Sequence, residues 1–189
     1  YGIDRLGVPR MQLLDGATGM NLEQVFGDMT EYEDWSNAEE RKQIDADTSK
    51  PVNMIGSTRL VHVIEHYFEP EKLSEDEKVL YGWVKKHMDV RLQGKDYAPG
   101  CYPPGILLGC TWNPEVIRKV GEALGLECCV YGVHFLLGPN VNILRDPRNG
   151  RLFEGYSEDP CVVSKLAPEI VKGIQSYGVS ATVKHYAAN

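Results

Sequence analysis

Four polar side chains of this chain are suited to binding a polyhydroxylated ligand together: Asp15, Arg145, Lys184 and His185. A carboxylate accepts hydrogen bonds from two neighbouring hydroxyl groups, and the three basic side chains donate to the hydroxyls beside them. Where water is excluded, each charge-assisted hydrogen bond of this kind contributes roughly 1.5–3 kcal/mol. One anion combined with three donors is suited to a pyranose sugar.

The four side chains follow apolar segments that are typical of β-strands. These segments are Met11–Leu14, His134–Leu137 and Val179–Val183. A further apolar run, Ile106–Thr111, is nearly uninterrupted, which predicts a strand buried on both faces. Because the functional groups of a parallel barrel gather at the carboxyl ends of its strands, we expect the four side chains to meet on one rim.

A simpler alternative is that these side chains interact only locally. Arg145 would then pair with Asp146, Lys184 would be exposed, and His185 would lie in the core. We prefer a shared site because all four side chains follow predicted strand ends.

Helical segments separate the predicted strands. Asn113-Pro114 and Asp159-Pro160 each combine an N-cap side chain with proline at the first helical position. Apolar residues then recur at helical spacing, in the second case up to Gly178. This alternation predicts parallel βα units with right-handed crossovers. The expected fold class is α/β, as part of a (β/α)8 TIM-like barrel with parallel strands.

From about 22 to 99 the composition becomes acidic and helical, and we interpret this stretch as a mostly helical insertion. Ser74 and Glu77 form a capping box before an apolar helix face. A second helix is expected over Leu60–Phe68, ended by Pro70. Since the stretch lies between two predicted rim segments, we hypothesise that it forms a wall or a lid of the ligand pocket and contributes to specificity.

The charge of the chain disfavours two classes of partner. Its 27 acidic and 20 basic residues give a formal charge of −7, and Lys and Arg do not cluster, so nucleic acid and anionic membrane surfaces are not expected partners. No apolar run approaches the roughly 20 residues of a membrane span. Neutral or cationic small molecules are the expected ligands.

The cysteines predict a reducing compartment. They are odd in number and show no Cys-x-x-Cys spacing: Cys101, Cys110, Cys128, Cys129 and Cys161. Neither a disulfide framework nor a zinc ribbon is expected from this pattern. We predict reduced core thiols, a cytoplasmic location, and no cofactor or metal.

One motif leaves a different function open. His62, Glu65 and His66 match the His-x-x-Glu-His pattern of certain zinc peptidases, in which two histidines one helical turn apart bind the metal. No third ligand is evident in the sequence. A metallopeptidase is therefore retained as an alternative, and a solvated amphipathic helix is preferred.

An acidic cluster has a structural interpretation. Glu154, Glu158 and Asp159 lie near Arg148 and Arg151 in the sequence. Solvated salt bridges and the helix cap account for these residues.

A set of distinct short motifs lies within 7–19 and then almost continuously across 103–189. They are Leu14-Asp15-Gly16, Thr111-Trp112-Asn113-Pro114, Gly138-Pro139-Asn140-Val141-Asn142, Arg145-Asp146-Pro147, Gly150-Arg151-Leu152-Phe153-Glu154, Ser157-Glu158-Asp159-Pro160, Lys172-Gly173-Ile174-Gln175 and Lys184-His185-Tyr186. Taken together, these motifs resemble the N-terminal barrel of glycoside hydrolase family 3, in its β-glucosidase branch.

The resemblance implies that Asp15, Arg145, Lys184 and His185 bind the sugar in the −1 subsite of a retaining enzyme that acts on terminal β-D-glycosides. It also implies a non-proline cis peptide bond near Lys184-His185. The nucleophilic aspartate and the glutamate acid/base are expected outside this chain, so the chain alone should be inactive. The expected partners are a small glycoside and the remainder of the same enzyme, which completes the barrel and supplies a second domain.

Three sequence details refine the resemblance. Asn21 stands where relatives often have an arginine near the sugar, so one sugar contact is expected to differ. Tyr186 and the alanines after it favour the glucosidase or xylosidase type over the hexosaminidase branch. Asp34 lies in a segment similar to the one that carries the family's nucleophile, but no apolar strand precedes it, so it is not assigned that role. A non-catalytic sugar-binding remnant is the remaining alternative.

Overall fold

The computed structural model describes residues 3–9, 11–16, 18–21, 58–92 and 100–185. Its strands and α-helices are, in chain order, β1 (Leu13–Asp15), α1 (Thr58–Glu65), α2 (Glu75–Leu92), α3 (Gly105–Gly109), α4 (Pro114–Tyr131), β2 (Phe135–Leu137), α5 (Pro160–Gln175) and β3 (Ser180–Ala181). The chain divides into two compact units, one within 1–20 and 98–189 and the other within 21–97.

The first unit is built on a parallel sheet whose described strands have the order β1-β2-β3. Leu14 pairs with Leu136, which in turn pairs with Ala181. Parallel pairing continues beyond the strands, where Asn140 lies opposite Lys184. The prediction of an α/β fold with parallel strands is confirmed. All three strand ends therefore point the same way, which brings the loops after them together.

The helices of this unit begin as their sequences predict. Asn113 Oδ1 accepts hydrogen bonds from the first-turn amides of α4, and Asp159 Oδ1 accepts one from the amide of Cys161 at the start of α5. Proline follows each cap. At its other end α4 is closed by Gly132, whose φ of 70° lies in the left-handed region.

Helices α4 and α5 pack with their backbones in close contact. A Cβ at Gly121 would lie 2.4 Å from the carbonyl oxygen of Ile170, and one at Gly173 would lie equally close to that of Arg118. The absence of these side chains lets the helices approach each other. The core between helices and sheet is formed by fully or nearly fully buried residues: Leu14, Ile117, Leu124, Cys128, Tyr131, Leu136, Leu166, Ile170 and Ile174.

The strand predicted over Ile106–Thr111 is wrong. The first four residues of this run lie in the short helix α3, which has Gly105 and Gly109 on one face. A Cβ at either glycine would lie within about 2 Å of a carbonyl oxygen, that of Glu154 or that of Tyr156. The helix therefore contacts the backbone of 154–156. Hydrophobicity alone does not distinguish a buried strand from a short buried helix.

The second unit contains α1 and α2, and its local signals also match the sequence. Ser74 Oγ accepts from the Glu77 amide, and the Glu77 carboxylate accepts from the Ser74 amide, which confirms the capping box. The described core is apolar: Val63, Tyr67, Leu73, Leu80, Trp83 and Val84. The assignment of about 22–99 as a pocket-forming insertion stays a prediction, and Asp34 lies outside the described residues. None of the described helices is long and apolar enough to cross a membrane.

Candidate functional site

An ion pair joins the end of β1 to the segment that follows β3. Lys184 Nζ donates a hydrogen bond of 2.8 Å to Oδ1 of Asp15, the last residue of β1, across 169 positions of sequence. The Lys184 side chain is 15% exposed and that of Asp15 is 44% exposed. The lysine is thus shielded while part of the carboxylate stays open to a ligand. Two of the four predicted site residues are brought together as expected.

The loop after β2 fixes the backbone on which Lys184 stands. The amide of Lys184 donates to the carbonyl of Pro139 at 3.0 Å, and the amide of Val141 donates to the carbonyl of Lys184 at 2.8 Å. The Lys184–His185 peptide bond is cis, as the resemblance implied. The two loops therefore form one hydrogen-bonded unit at the strand ends.

His185 is held by an asparagine of the same loop. Asn142 Oδ1 accepts a hydrogen bond from the His185 amide at 3.1 Å and lies 2.8 Å from ring nitrogen Nδ1. The backbone of Asn142 is itself held in place, because its N–H donates to Oδ1 of Asn140 at 2.9 Å. Since an amide oxygen only accepts, the His185 proton is assigned to Nδ1, which leaves Nε2 of the neutral ring as an acceptor.

A second charged pair lies beside the first. Arg151 donates two hydrogen bonds to Glu154, at 2.6 and 2.8 Å, and Asn140 Nδ2 lies 3.5 Å from Glu154 Oε2. The hydrogen bond from Arg151 holds the pKa of the Glu154 carboxyl below its usual range, and the positive charge of Lys184 acts in the same direction. The hydrogen bond to Glu154 and the negative charge of Asp15 raise the pKa of Arg151.

The charges of Arg151 and Glu154 therefore interact with those of Asp15 and Lys184. Interpreting this pair as a solvated salt bridge was wrong for Glu154, whose side chain is only 10% exposed. The i,i+3 spacing of an arginine and a glutamate was the available signal, because it allows a two-bonded pair within a single turn. Their approach to Asp15 depends on how an irregular loop folds, which no local pattern indicates.

The other predicted residues of this loop are more exposed. Arg148 binds Asp146 through two hydrogen bonds and is 88% exposed, which confirms a solvated salt bridge at that point. Asp159 caps α5 as predicted. Arg145 is exposed as well. Its contact with a sugar, predicted from sequence, stays a prediction.

The charges of the site balance. Asp15 and Glu154 supply two negative charges, and Lys184 and Arg151 supply two positive charges. A neutral polyol meets complementary donors and acceptors here without a net charge that would select an ion. The Glu154 side chain is 10% exposed and that of Asp15 is 44% exposed, so the Asp15 carboxylate is the acceptor better placed for a ligand hydroxyl.

The possible zinc motif does not form a metal site in the described part of the chain. His62 Nδ1 lies 2.8 Å from Oε1 of Glu77, a residue of the neighbouring helix, and His66 Nδ1 lies 3.1 Å from the backbone carbonyl of His62. No three histidine, cysteine or carboxylate side chains among the described residues are grouped so as to hold a metal ion. The metallopeptidase alternative has no support.

Comparison with known proteins gives one consistent result. The sequence profile of the glycosyl hydrolase family 3 N-terminal domain matches residues 90–189. Over 89 residues, or 47% of this chain, it is 52% identical to an exo-α-(1→6)-L-arabinopyranosidase of Bifidobacterium longum. Over the same length it is 51% identical to a thermostable β-glucosidase B of Acetivibrio thermocellus.

A solved structure resembles the whole chain. β-Glucosidase 3B of Thermotoga neapolitana, in complex with α-D-glucose, matches 100% of this chain with 30% sequence identity and a TM-score of 0.60. The chain covers 18% of that protein and 12% of the arabinopyranosidase and of the A. thermocellus enzyme. The similarity therefore concerns one portion of much longer enzymes.

Proposed function

Because this chain belongs to glycosyl hydrolase family 3, we propose that it supplies the sugar-binding side of the −1 subsite in a retaining glycosidase. The substrate class is terminal β-D-glycosides, with glucose as the sugar at the non-reducing end. The β-glucosidases among the similar proteins support this choice. In this proposal the chain is one portion of such an enzyme, because it spans 12% of the arabinopyranosidase and of the A. thermocellus β-glucosidase.

The 2.8 Å contact between Lys184 and Asp15 is the observation that carries the proposal. It fixes one carboxylate oxygen, so the group presents a defined acceptor to two adjacent hydroxyls of a pyranose. Lys184 also keeps donors for a neighbouring hydroxyl, because an ammonium group has three N–H bonds. A preorganised pair of this kind orients the sugar without reorganisation when it binds.

Arg151 supplies further donors in this proposal. Two of its five N–H groups are used on Glu154, and the side chain is 50% exposed and feels the negative charge of Asp15. We propose Arg151 as a sugar-binding cation of the site, in addition to the sequence-based assignment of Arg145. Glu154 acts through Arg151, because it holds the guanidinium plane in place.

His185 completes the set as an oriented acceptor. The bonds to Asn142 place its backbone and fix the ring proton on Nδ1. The free electron pair on Nε2 accepts from a sugar hydroxyl.

Retaining cleavage of a glycosidic bond typically uses two carboxyl groups about 5 Å apart, one acting as nucleophile and one as acid/base. We place both in the part of the enzyme that this chain does not span, which follows the family resemblance. Asp15 is not the nucleophile in this proposal, because it is held by Lys184. The chain alone is expected to bind a sugar weakly and to hydrolyse none.

The test uses the complete enzyme that carries this segment, with a chromogenic β-D-glucoside as substrate and NMR detection of the product anomer. Wild type should release the β-anomer first. Asp15→Ala and Lys184→Ala should each lower kcat/KM by about 10- to 150-fold, the range expected for losing one charge-assisted hydrogen bond.

Arg148→Ala is the matched control, because it removes an exposed cation from the same loop. It should leave kcat/KM within about twofold of wild type, as expected for a surface ion pair. Absence of hydrolysis by the complete enzyme, inversion of the anomer, or full activity of Asp15→Ala would each contradict the proposed function.

A further inference from the structure

We propose that Glu127, on helix α4, is a positioning residue that holds the Asp15 loop in its sugar-binding position. It acts through the segment Gly100–Tyr102, which lies between α4 and the turn after β1. This inference rests on the proposed function, because Asp15 is the sugar acceptor in that proposal.

Glu127 is a carboxylate buried in an apolar helix face. It is 4% exposed, and its near neighbours on α4, Leu124, Cys128 and Tyr131, are buried as well. Burying such a group is costly unless hydrogen bonds compensate for the lost water. An aliphatic residue would fill this position more favourably if packing were its only purpose. The carboxylate therefore points to a role for its hydrogen bonds.

Those hydrogen bonds all go to one short segment. Glu127 Oε1 accepts from the amide of Gly100 at 2.9 Å and from the hydroxyl of Tyr102 at 2.8 Å. Among the residues that the structure describes, none donates to Oε2. One oxygen thus makes both contacts, and the segment is fixed to α4 at two points.

The same segment contacts the turn that follows β1. The amide of Tyr102 donates to the carbonyl of Thr18 at 3.0 Å. Gly19 has a φ of 121°, and a Cβ there would lie 2.7 Å from the carbonyl oxygen of Gly100. The two backbones are therefore in direct contact, so a shift of Gly100–Tyr102 is transmitted to the turn.

That turn begins at Asp15. The Gly16 amide donates to Asp15 Oδ1 at 3.1 Å, and the Gly19 amide lies 3.5 Å from the carbonyl of Gly16. A short series of hydrogen bonds and backbone contacts therefore connects Glu127 to the Asp15 carboxylate, which Lys184 also holds. Because α4 is locked against α5, it provides a rigid base for this connection. A shift of about 1 Å in a substrate-positioning group can reduce the rate about 100-fold.

Two measurements test the role of Glu127, and the first needs no activity. Amide hydrogen exchange of the peptide over 13–20 in this chain should be faster in Glu127→Ala. Glu127→Gln keeps the accepting oxygen and should exchange like wild type. Glu122 is a half-buried carboxylate on the same helix; Glu122→Ala is the matched control and should not change this peptide.

The second measurement is a double-mutant cycle in the complete enzyme. Glu127→Ala should lower kcat/KM about 10- to 100-fold in a wild-type background. In an Asp15→Ala background the same change should cost less than about threefold, since its effect passes through Asp15. A merely structural role would give equal losses in both backgrounds.

Unchanged exchange in Glu127→Ala, or equal losses in the cycle, would overturn the inference. If Glu127→Ala does not fold, Tyr102→Phe removes one of the two bonds and should cost about two- to fivefold, again only when Asp15 is present. Equal losses for Tyr102→Phe in both backgrounds would also overturn it. An inactive wild-type enzyme combined with faster exchange in Glu127→Ala would instead refute the proposed function and leave the anchor itself intact.

Discussion

Lys184 Nζ reaches Asp15 Oδ1 at 2.8 Å although β2 lies between β1 and β3 in the sheet. The two partners differ in their surroundings, because Lys184 is 15% exposed and Asp15 is 44% exposed. Water can replace the contact at the carboxylate more readily than at the ammonium group, so losing the partner costs the ammonium group more free energy. The pair is therefore asymmetric in its contribution to stability, and this asymmetry can be measured without any substrate.

Asp15→Ala should destabilise the chain more than Lys184→Ala does. Removing the aspartate leaves a largely buried ammonium without the carboxylate that it contacts, at a cost of about 1–3 kcal/mol in the free energy of unfolding. Removing the lysine leaves a carboxylate that water can reach, at a cost below about 1 kcal/mol. Urea unfolding at pH 7 of both variants and of the double variant measures these costs. Equal losses, or a larger loss for Lys184→Ala, would contradict this account.

Glu154 should make the stability of the chain depend on pH in acid. The hydrogen bond from Arg151 lowers the pKa of the folded-state carboxyl below the unfolded value of about 4.3. A depressed folded-state pKa stabilises the fold fully above the unfolded pKa, and the contribution is lost as the pH falls through the folded pKa. Glu154→Gln should therefore cost about 1–3 kcal/mol at pH 7 and clearly less near pH 3.

The measurement is urea unfolding of wild type and Glu154→Gln across pH 3–7. Glu158→Gln serves as the control, since Glu158 is an exposed carboxylate of the same region. Its effect should be small at every pH. If the difference in the free energy of unfolding between wild type and Glu154→Gln does not become smaller in acid, the ionised Glu154 carboxylate gains no stability from its contact with Arg151.

Local chemistry explains which parts of the fold the sequence predicts. Asn113 and Asp159 cap helices because their side chains satisfy first-turn amides, and this needs no knowledge of the rest of the chain. Asp15 ends β1 because an ionised group follows an apolar run. The family assignment and the TIM-like α/β fold are confirmed by the matching profile and by the similar solved structure.

Long-range packing explains what the sequence does not predict. Ile106–Thr111 is apolar enough for a strand, but its first four residues lie in α3, where Gly105 and Gly109 let the helix contact the backbone of 154–156. Arg151 lies in an irregular loop, so no helix or strand periodicity of the sequence indicates that its charge interacts with that of Asp15. Both cases depend on contacts between distant segments, which helix and strand patterns do not encode.

Two glycine-to-alanine substitutions in helices should have opposite effects on the stability of the chain. Gly121→Ala would place a Cβ 2.4 Å from the carbonyl oxygen of Ile170 and should cost about 1–3 kcal/mol. Gly82→Ala, in helix α2, meets nothing within 4 Å and should stabilise by about 0.5–1 kcal/mol through helix propensity. Thermal unfolding followed by circular dichroism measures both. A neutral Gly121→Ala would mean that the helices can separate without loss.

Cys128 should resist modification although other cysteines react. Burial raises the pKa of its thiol to about 12, with smaller contributions from the neighbouring Cys129 and Glu127. Because only the thiolate attacks, an aromatic disulfide reagent at pH 8 should modify the exposed cysteines and leave Cys128 intact until the chain unfolds. Cys128→Ala should therefore leave the native thiol count unchanged and lower the count in denaturant by one. Cys161→Ala, the exposed control, should lower both counts, and a lower native count for Cys128→Ala would show that this part of the core opens.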